Sequence, residues 1–240
     1  MATGPFNRYA TAGRAVDQAS FDAGLRQHML RVYNYMTVGL VITALVSFFG
    51  AQSPALLGLV FGTPLKWVVM LAPLGFVFAL SWKAHQWTIG TIQAVFYGFA
   101  AVMGLSMMSI FAVFTGESIA RVFFITAGMF AGTSLYGYTT RTDLSKFGSF
   151  LIMGLIGIVI AGLVNIFLAS SALQFAISVI GVLVFTGLTA WDTQNIKEAY
   201  AESYGEETNT KMALMGALSL YLNFINLFMM LLRLFGSSRD

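Results

Sequence analysis

The chain has 240 residues, of which 58% are hydrophobic and 10% charged, with no cysteine and a formal net charge of +3. Soluble domains carry about 25% charged residues, so this composition cannot cover a water-facing surface of ordinary size. The missing cysteine excludes disulfides, a thiol nucleophile and a thiolate metal site.

The hydrophobicity comes in continuous blocks at 32–65, 67–82, 86–116, 122–140, 147–191 and 212–232. A helix needs about 20 apolar residues to cross the hydrocarbon core, where only helices and closed barrels satisfy their backbone groups. Barrel strands alternate in polarity over about ten residues, and these blocks do not. The expected class is all-α: a polytopic membrane protein with seven transmembrane helices.

In chain order, residues 1–31 carry Arg8, Arg14, Asp17, Asp22, Arg26 and Arg31. They lack the apolar core and cleavage site of a signal peptide and read as a polar tail, helical from about Gln18. The spans follow at about 32–52, 67–82 (with Pro73 inside), 88–113 and 118–140. Phe147 to Trp191 is a run of 45 residues without Asp, Glu, Lys, Arg or His. It is too long for one crossing, and Ser170–Ser171 is the expected turn between spans at about 147–168 and 173–192. The seventh span runs from about 212 to 235. Residues 32–236 are thus one seven-helix transmembrane domain. Without the turn at Ser170 the count falls to six and the C-terminus changes sides.

Basic residues concentrate on the cytoplasmic side of membrane proteins. With the tail inside, the inner segments hold Arg8, Arg14, Arg26, Arg31, Lys83, Arg141, Lys146, Lys197 and Lys211. The outer ones hold Lys66, Arg121, Arg233 and Arg239, so the split is nine against four. This orientation puts the N-terminus in the cytoplasm. It also accounts for the positive net charge without a nucleic-acid partner.

Few polar groups enter the spans. Asp192 ends the apolar run, and read alone it either reaches water at the interface or points inward at a partner. A charge at the centre of a span costs about 2.5–3.5 kcal/mol on insertion scales. The seventh span reads "ALSLYLNFINLFMMLLRLFG" at 217–236, with Ser219, Asn223 and Asn226 spaced four and three apart on one face. Amides facing lipid are costly, so this face should look into the bundle, with the seventh helix at its centre. Thr186, Thr189 and Thr193 can extend the polar patch.

The remaining polar residues read as structural. Gly128 with Gly132, and Gly157 with Ala161, have the spacing of close helix packing. Glu117 and Arg121 read as a surface pair. His28 and His85 read as solvated loop residues, Asn165 and Gln174 as caps of the outer turn, and Arg233 as snorkelling to the interface. Glu198, Glu202, Glu206 and Glu207, bracketed by Lys197 and Lys211, read as a solvated helical face.

The segments "FTGLTAWDTQNIKEAY" at 185–200 and "ALSLYLNFINLFMMLLRLFG" at 217–236 resemble the Bax inhibitor-1 (transmembrane Bax inhibitor motif) family. "VYNYMTVGL" at 32–40 looks like the start of its bacterial members, which implies a bacterial inner membrane location. The resemblance spans about residues 20–236. It implies a seventh helix sheathed by the other six and a pH-sensitive calcium leak. In relatives an aspartate at the end of helix 6 and one on helix 7 share a proton and govern closure. Asp192 matches the first. The second falls in "LYLDFINLF" in the family, whereas this chain has "LYLNFINLF", so the position is Asn223.

Two adjacent carboxylates resist joint ionisation and can sense protons near neutrality. An aspartate beside an amide lacks that repulsion, so a weaker pH response is expected here. The family's basic residue on helix 2 has its nearest counterpart in Lys83. A tight calcium site takes six to eight oxygens. One carboxylate with amides and hydroxyls falls short, so calcium is expected to bind weakly and no resident metal is expected.

The leading expectation is therefore a cation leak gated near Asp192 and Asn223, with Asn226, Ser219, Thr189 and Lys83 as the supporting polar set. The competing one is a non-transporting regulator that binds membrane-protein partners such as a protease. No enzyme is expected: the sequence has no HExxH, and nothing supplies the base a serine nucleophile needs. No cofactor is expected either, since the seventh span has no lysine for a retinal Schiff base.

Overall fold

The structure, a computed structural model, describes the backbone of residues 5–239 and the side chains of residues 21–239. The side chains of Arg8, Arg14 and Asp17 lie outside the described residues. α1 is described over Pro5–Ala51, and Pro54 opens α2 (Pro54–Phe61), with no proline between residues 5 and 54. Proline suits the first helical turn because its missing N–H has no partner to lose there. The tail and the first span are therefore one 47-residue helix, longer than the hydropathy block that starts at residue 32. The short α2 was absorbed into that block; Ser53 marks it by accepting a capping bond from the Leu56 N–H.

The remaining elements are α3 (Leu65–Lys83), a single 3-10 turn at Ala84–Gln86, α4 (Ile89–Met107), α5 (Ile110–Val113), α6 (Gly116–Thr139), α7 (Ser145–Leu168), α8 (Ser171–Ala199), a second 3-10 turn at Glu202–Tyr204, and α9 (Gly205–Phe235). Thr88, Thr115 and Ser170 cap α4, α6 and α8 by accepting from backbone N–H groups. Such caps satisfy donors that a helix start otherwise leaves free. The turn at Ser170 forms as expected. Ala169 adopts a left-handed φ of 47°, Asn165 Oδ1 accepts from the Ser170 N–H at 3.0 Å, and the Asn165 amide donates to Gln174.

Among the described residues, seven helices are long and apolar enough to cross a membrane, and the protein is an all-α polytopic membrane protein. Of the most apolar stretch of α9, 72% is buried, against 6–39% in the other six. The seventh crossing is therefore the axis of the bundle. Around it stand α1, α4, α6 and α8, while α3 packs mainly on α4, and α7 on α8. Phe167, Trp82 and Phe124 are 88%, 78% and 73% exposed, as suits side chains whose solvent is lipid.

Tyr221 of α9 lies fully buried at the centre. Its ring meets Phe96 and Phe99 of α4 edge to face, at 5.9 and 5.4 Å between centroids. Its hydroxyl pairs with Thr43 Oγ1 of α1 at 2.6 Å, and Thr43 also donates to the Ala100 carbonyl at 2.8 Å. A second aromatic cluster joins Phe123 and Phe130 of α6 to Phe224 of α9. Beyond α9 the chain folds back: the Arg239 N–H donates to the Val113 carbonyl, and the Thr115 N–H to that of Ser237.

The glycines of the small-residue pairs are not points of close helix approach within this chain. Methyl groups added at Gly128, Gly132 and Gly157 would meet open space, because those faces point out of the bundle. The close approach is at Gly137 of α6, where an added Cβ would lie 2.2 Å from the Ala190 carbonyl oxygen of α8.

Candidate functional site: the Asp192–Asn223 contact

Asp192 does not end its helix. α8 continues to Ala199, so the carboxylate sits about 10 Å inside the helix end, at 1.5 Å per residue. The polar residues after it, Gln194 and Lys197, find partners on α6 and the loop that follows, which lets the helix extend. Gln194 is buried; its amide donates to the Thr142 carbonyl at 2.9 Å, and its Oε1 accepts from the Leu144 N–H at 2.8 Å. Lys197 Nζ donates to the Tyr138 carbonyl at 2.9 Å.

Asp192 turns inward. Asn223 Nδ2 donates to Asp192 Oδ2 at 2.7 Å, a bond between α8 and the central α9. The length is at the short end of the usual N–H···O range. Asn223 is buried and Asp192 half-buried. The carboxylate lines a cavity of about 360 Å³ together with His28, Asn195, Ile196, Ala199, Met212, Met215, Gly216 and Ser219.

The other expected members of the polar set divide. Ser219 faces the same cavity as Asp192. Asn226 does not: its amide donates to the Leu222 carbonyl of its own helix at 2.8 Å. Thr189 likewise donates to Phe185 one turn back. Lys83 is exposed at the end of α3 and is not among the residues lining the Asp192 cavity. Its helix packs mainly on α4. Thr186 Oγ1 is buried and has no hydrogen-bond partner among the described residues.

Thr193 belongs to a chain that sequence reasoning missed. Tyr33 of α1, Ser134 of α6 and Thr193 of α8 join by hydroxyl bonds of 2.7 and 2.9 Å. The chain ties three helices together beside the site, and lone hydroxyls far apart in sequence gave no pattern to detect.

His28 is the main correction. It lies inside α1 and is 5% exposed, not a solvated loop residue. Its flanking arginines made the segment look polar, yet His28, Val32 and Met36 are all buried at four-residue spacing. That spacing marks an inward helical face. His85 is exposed beside Gln86. Glu117 and Arg121 form the expected exposed pair at 2.6 Å. Among the described residues, no group of three or more His, Cys, Asp or Glu side chains is placed to hold a metal ion.

Residues 25–240 match the family described as "Inhibitor of apoptosis-promoting Bax1". The chain is 47% identical over 220 residues to the inner membrane protein YbhL of Escherichia coli K12, covering 90% of this chain and 94% of that protein. An uncharacterized protein of Rickettsia prowazekii is 44% identical over 92% of this chain and 94% of its own length. One from Caulobacter vibrioides is 44% identical over 98% of this chain and 99% of its own.

Proposed function

The chain belongs to the Bax inhibitor-1 family, and from that premise we propose that it is a cation leak of the inner membrane, calcium being the expected ion, gated where Asp192 meets Asn223. The observation that carries this reading is the 2.7 Å bond between the two side chains, at the edge of a cavity that reaches the carboxylate. The bond ties α8 to the central helix, so a change at that contact can move one helix against the other.

In this reading the described conformation is closed. From Asp192 toward the opposite end, the bundle is closed by Tyr221, Phe96 and Phe99, all fully buried. A cation reaching Asp192 meets one carboxylate, the Asn195 amide and the Ser219 hydroxyl, well short of the six to eight oxygens of a tight calcium site. Weak binding suits passage. The end of the bundle that carries Arg31, Lys83, Arg141 and Lys197 faces the cytoplasm in this reading, because basic segments stay inside.

The test is calcium flux into liposomes containing only this protein. Flux above that of empty liposomes is the expected result, with its pH response abolished in Asp192→Asn. No flux, together with a stoichiometric membrane-protein partner after mild detergent extraction, would favour a regulator that transports nothing.

A further inference from the structure

Beside the Asp192 cavity lies a second, polar one of about 350 Å³, at the basic end of the bundle. Gln27, Arg31, Tyr200, Glu202, Glu206 and Asn209 line it. Among the described residues, His28 alone lines both cavities. His28 Nε2 is buried without a hydrogen-bond partner, and so is Asn209 Oδ1. Buried polar atoms nearly always find a partner in protein or in water, so two such atoms on one polar cavity mark it as a hydrated space. Tyr200 packs on the His28 ring at 5.3 Å and on Phe21 at 5.6 Å between centroids. Its hydroxyl sits against Gly24, where an added Cβ would lie 2.1 Å from it.

We propose that the polar cavity is the access vestibule to Asp192 and that the His28 ring, held by Tyr200, is the gate between the two. Three carboxylates mark the route, Glu202 and Glu206 at the vestibule and Asp192 beyond it. Arg31 is the facing cation, engaged with Thr210 and with Glu206 at 3.4 Å. The balance is acidic, so the route favours a small hydrated cation. The nature of the cargo rests on the leak reading above. The existence of the route and its gate does not.

The chain contains no cysteine, so a single Ser219→Cys change places one thiol in the inner cavity. Its reaction with a cationic, membrane-impermeant methanethiosulfonate reagent is followed on the full chain in vesicles, with the reagent on one face at a time. Labelling is expected only from the face that carries residue 27, with a cationic reagent faster than an anionic one. A gate open about a tenth of the time scales the rate by that fraction, so His28→Ala should speed labelling by about tenfold. Gly24→Ala should speed it as well, because its methyl group displaces Tyr200 while leaving His28 in place. A Gln27→Cys control at the vestibule reports folding and should label at one rate in every background. Equal Ser219→Cys rates with and without the His28 and Gly24 changes would overturn the gate, and labelling only from the opposite face would overturn the route. The expected labelling pattern without calcium flux would leave the route standing and remove calcium as its cargo.

Discussion

The Tyr221 hydroxyl and Thr43 Oγ1 meet at 2.6 Å in the middle of the bundle, joining the central helix to α1 where no water reaches. Thr43 also donates to the Ala100 carbonyl, so one hydroxyl pair ties α1, α4 and α9 together at the level of the aromatic plug. Tyr221→Phe removes the pair but keeps the ring. It should cost about 0.5–1.5 kcal/mol, the net worth of a hydrogen bond, read as a lower melting temperature in detergent. Tyr221→Ala empties the plug and should raise flux in liposomes, whereas Tyr221→Phe should leave it near the native level.

The glycine contacts give a paired prediction. Gly137→Ala forces a methyl group into the Ala190 carbonyl and should destabilise the protein by about 1–3 kcal/mol, the usual cost of overpacking. Gly128→Ala meets open space and should leave thermal stability unchanged or slightly raised, since alanine is the better helix former. Equal losses in the two variants would mean that α6 packs through the other face.

Gln194 holds the loop between α6 and α7 through two backbone bonds. Gln194→Ala leaves the Leu144 N–H and the Thr142 carbonyl without that partner, at about 1–3 kcal/mol for an unsatisfied buried group. Faster hydrogen exchange should appear in residues 140–146, with little change in α9.

These residues also show how far the sequence could be read. Seven crossings, the turn at Ser170 and the inward face of Asn223 were legible because each rests on local composition or helical spacing. The inward turn of Asp192 was legible only after Asn223 offered it a partner. What escaped depends on neighbours distant in the chain. His28 looked solvated between two arginines because Tyr200, which covers it, lies 172 residues away. Gly128 and Gly132 matched a packing spacing, but nothing local says which face of a lipid-embedded helix meets protein. Lys83 was the nearest counterpart of the family's basic residue on helix 2, yet it is exposed and does not line the Asp192 cavity. Asp192 looked terminal because hydropathy ends there, whereas hydrogen bonds from Gln194 and Lys197 to the α6 side carry the helix two turns further.

The central claim is that Asp192 gates a cation path through its contact with an uncharged amide. Calcium flux measured between about pH 6 and about pH 8 on the native chain and on Asn223→Asp tests it most directly, because the variant restores a carboxylate pair that resists joint ionisation. The account predicts a shallow pH response in the native protein, a clearly steeper one in Asn223→Asp, and none in Asp192→Asn. A native response as steep as that of Asn223→Asp, or one that survives in Asp192→Asn, would contradict it.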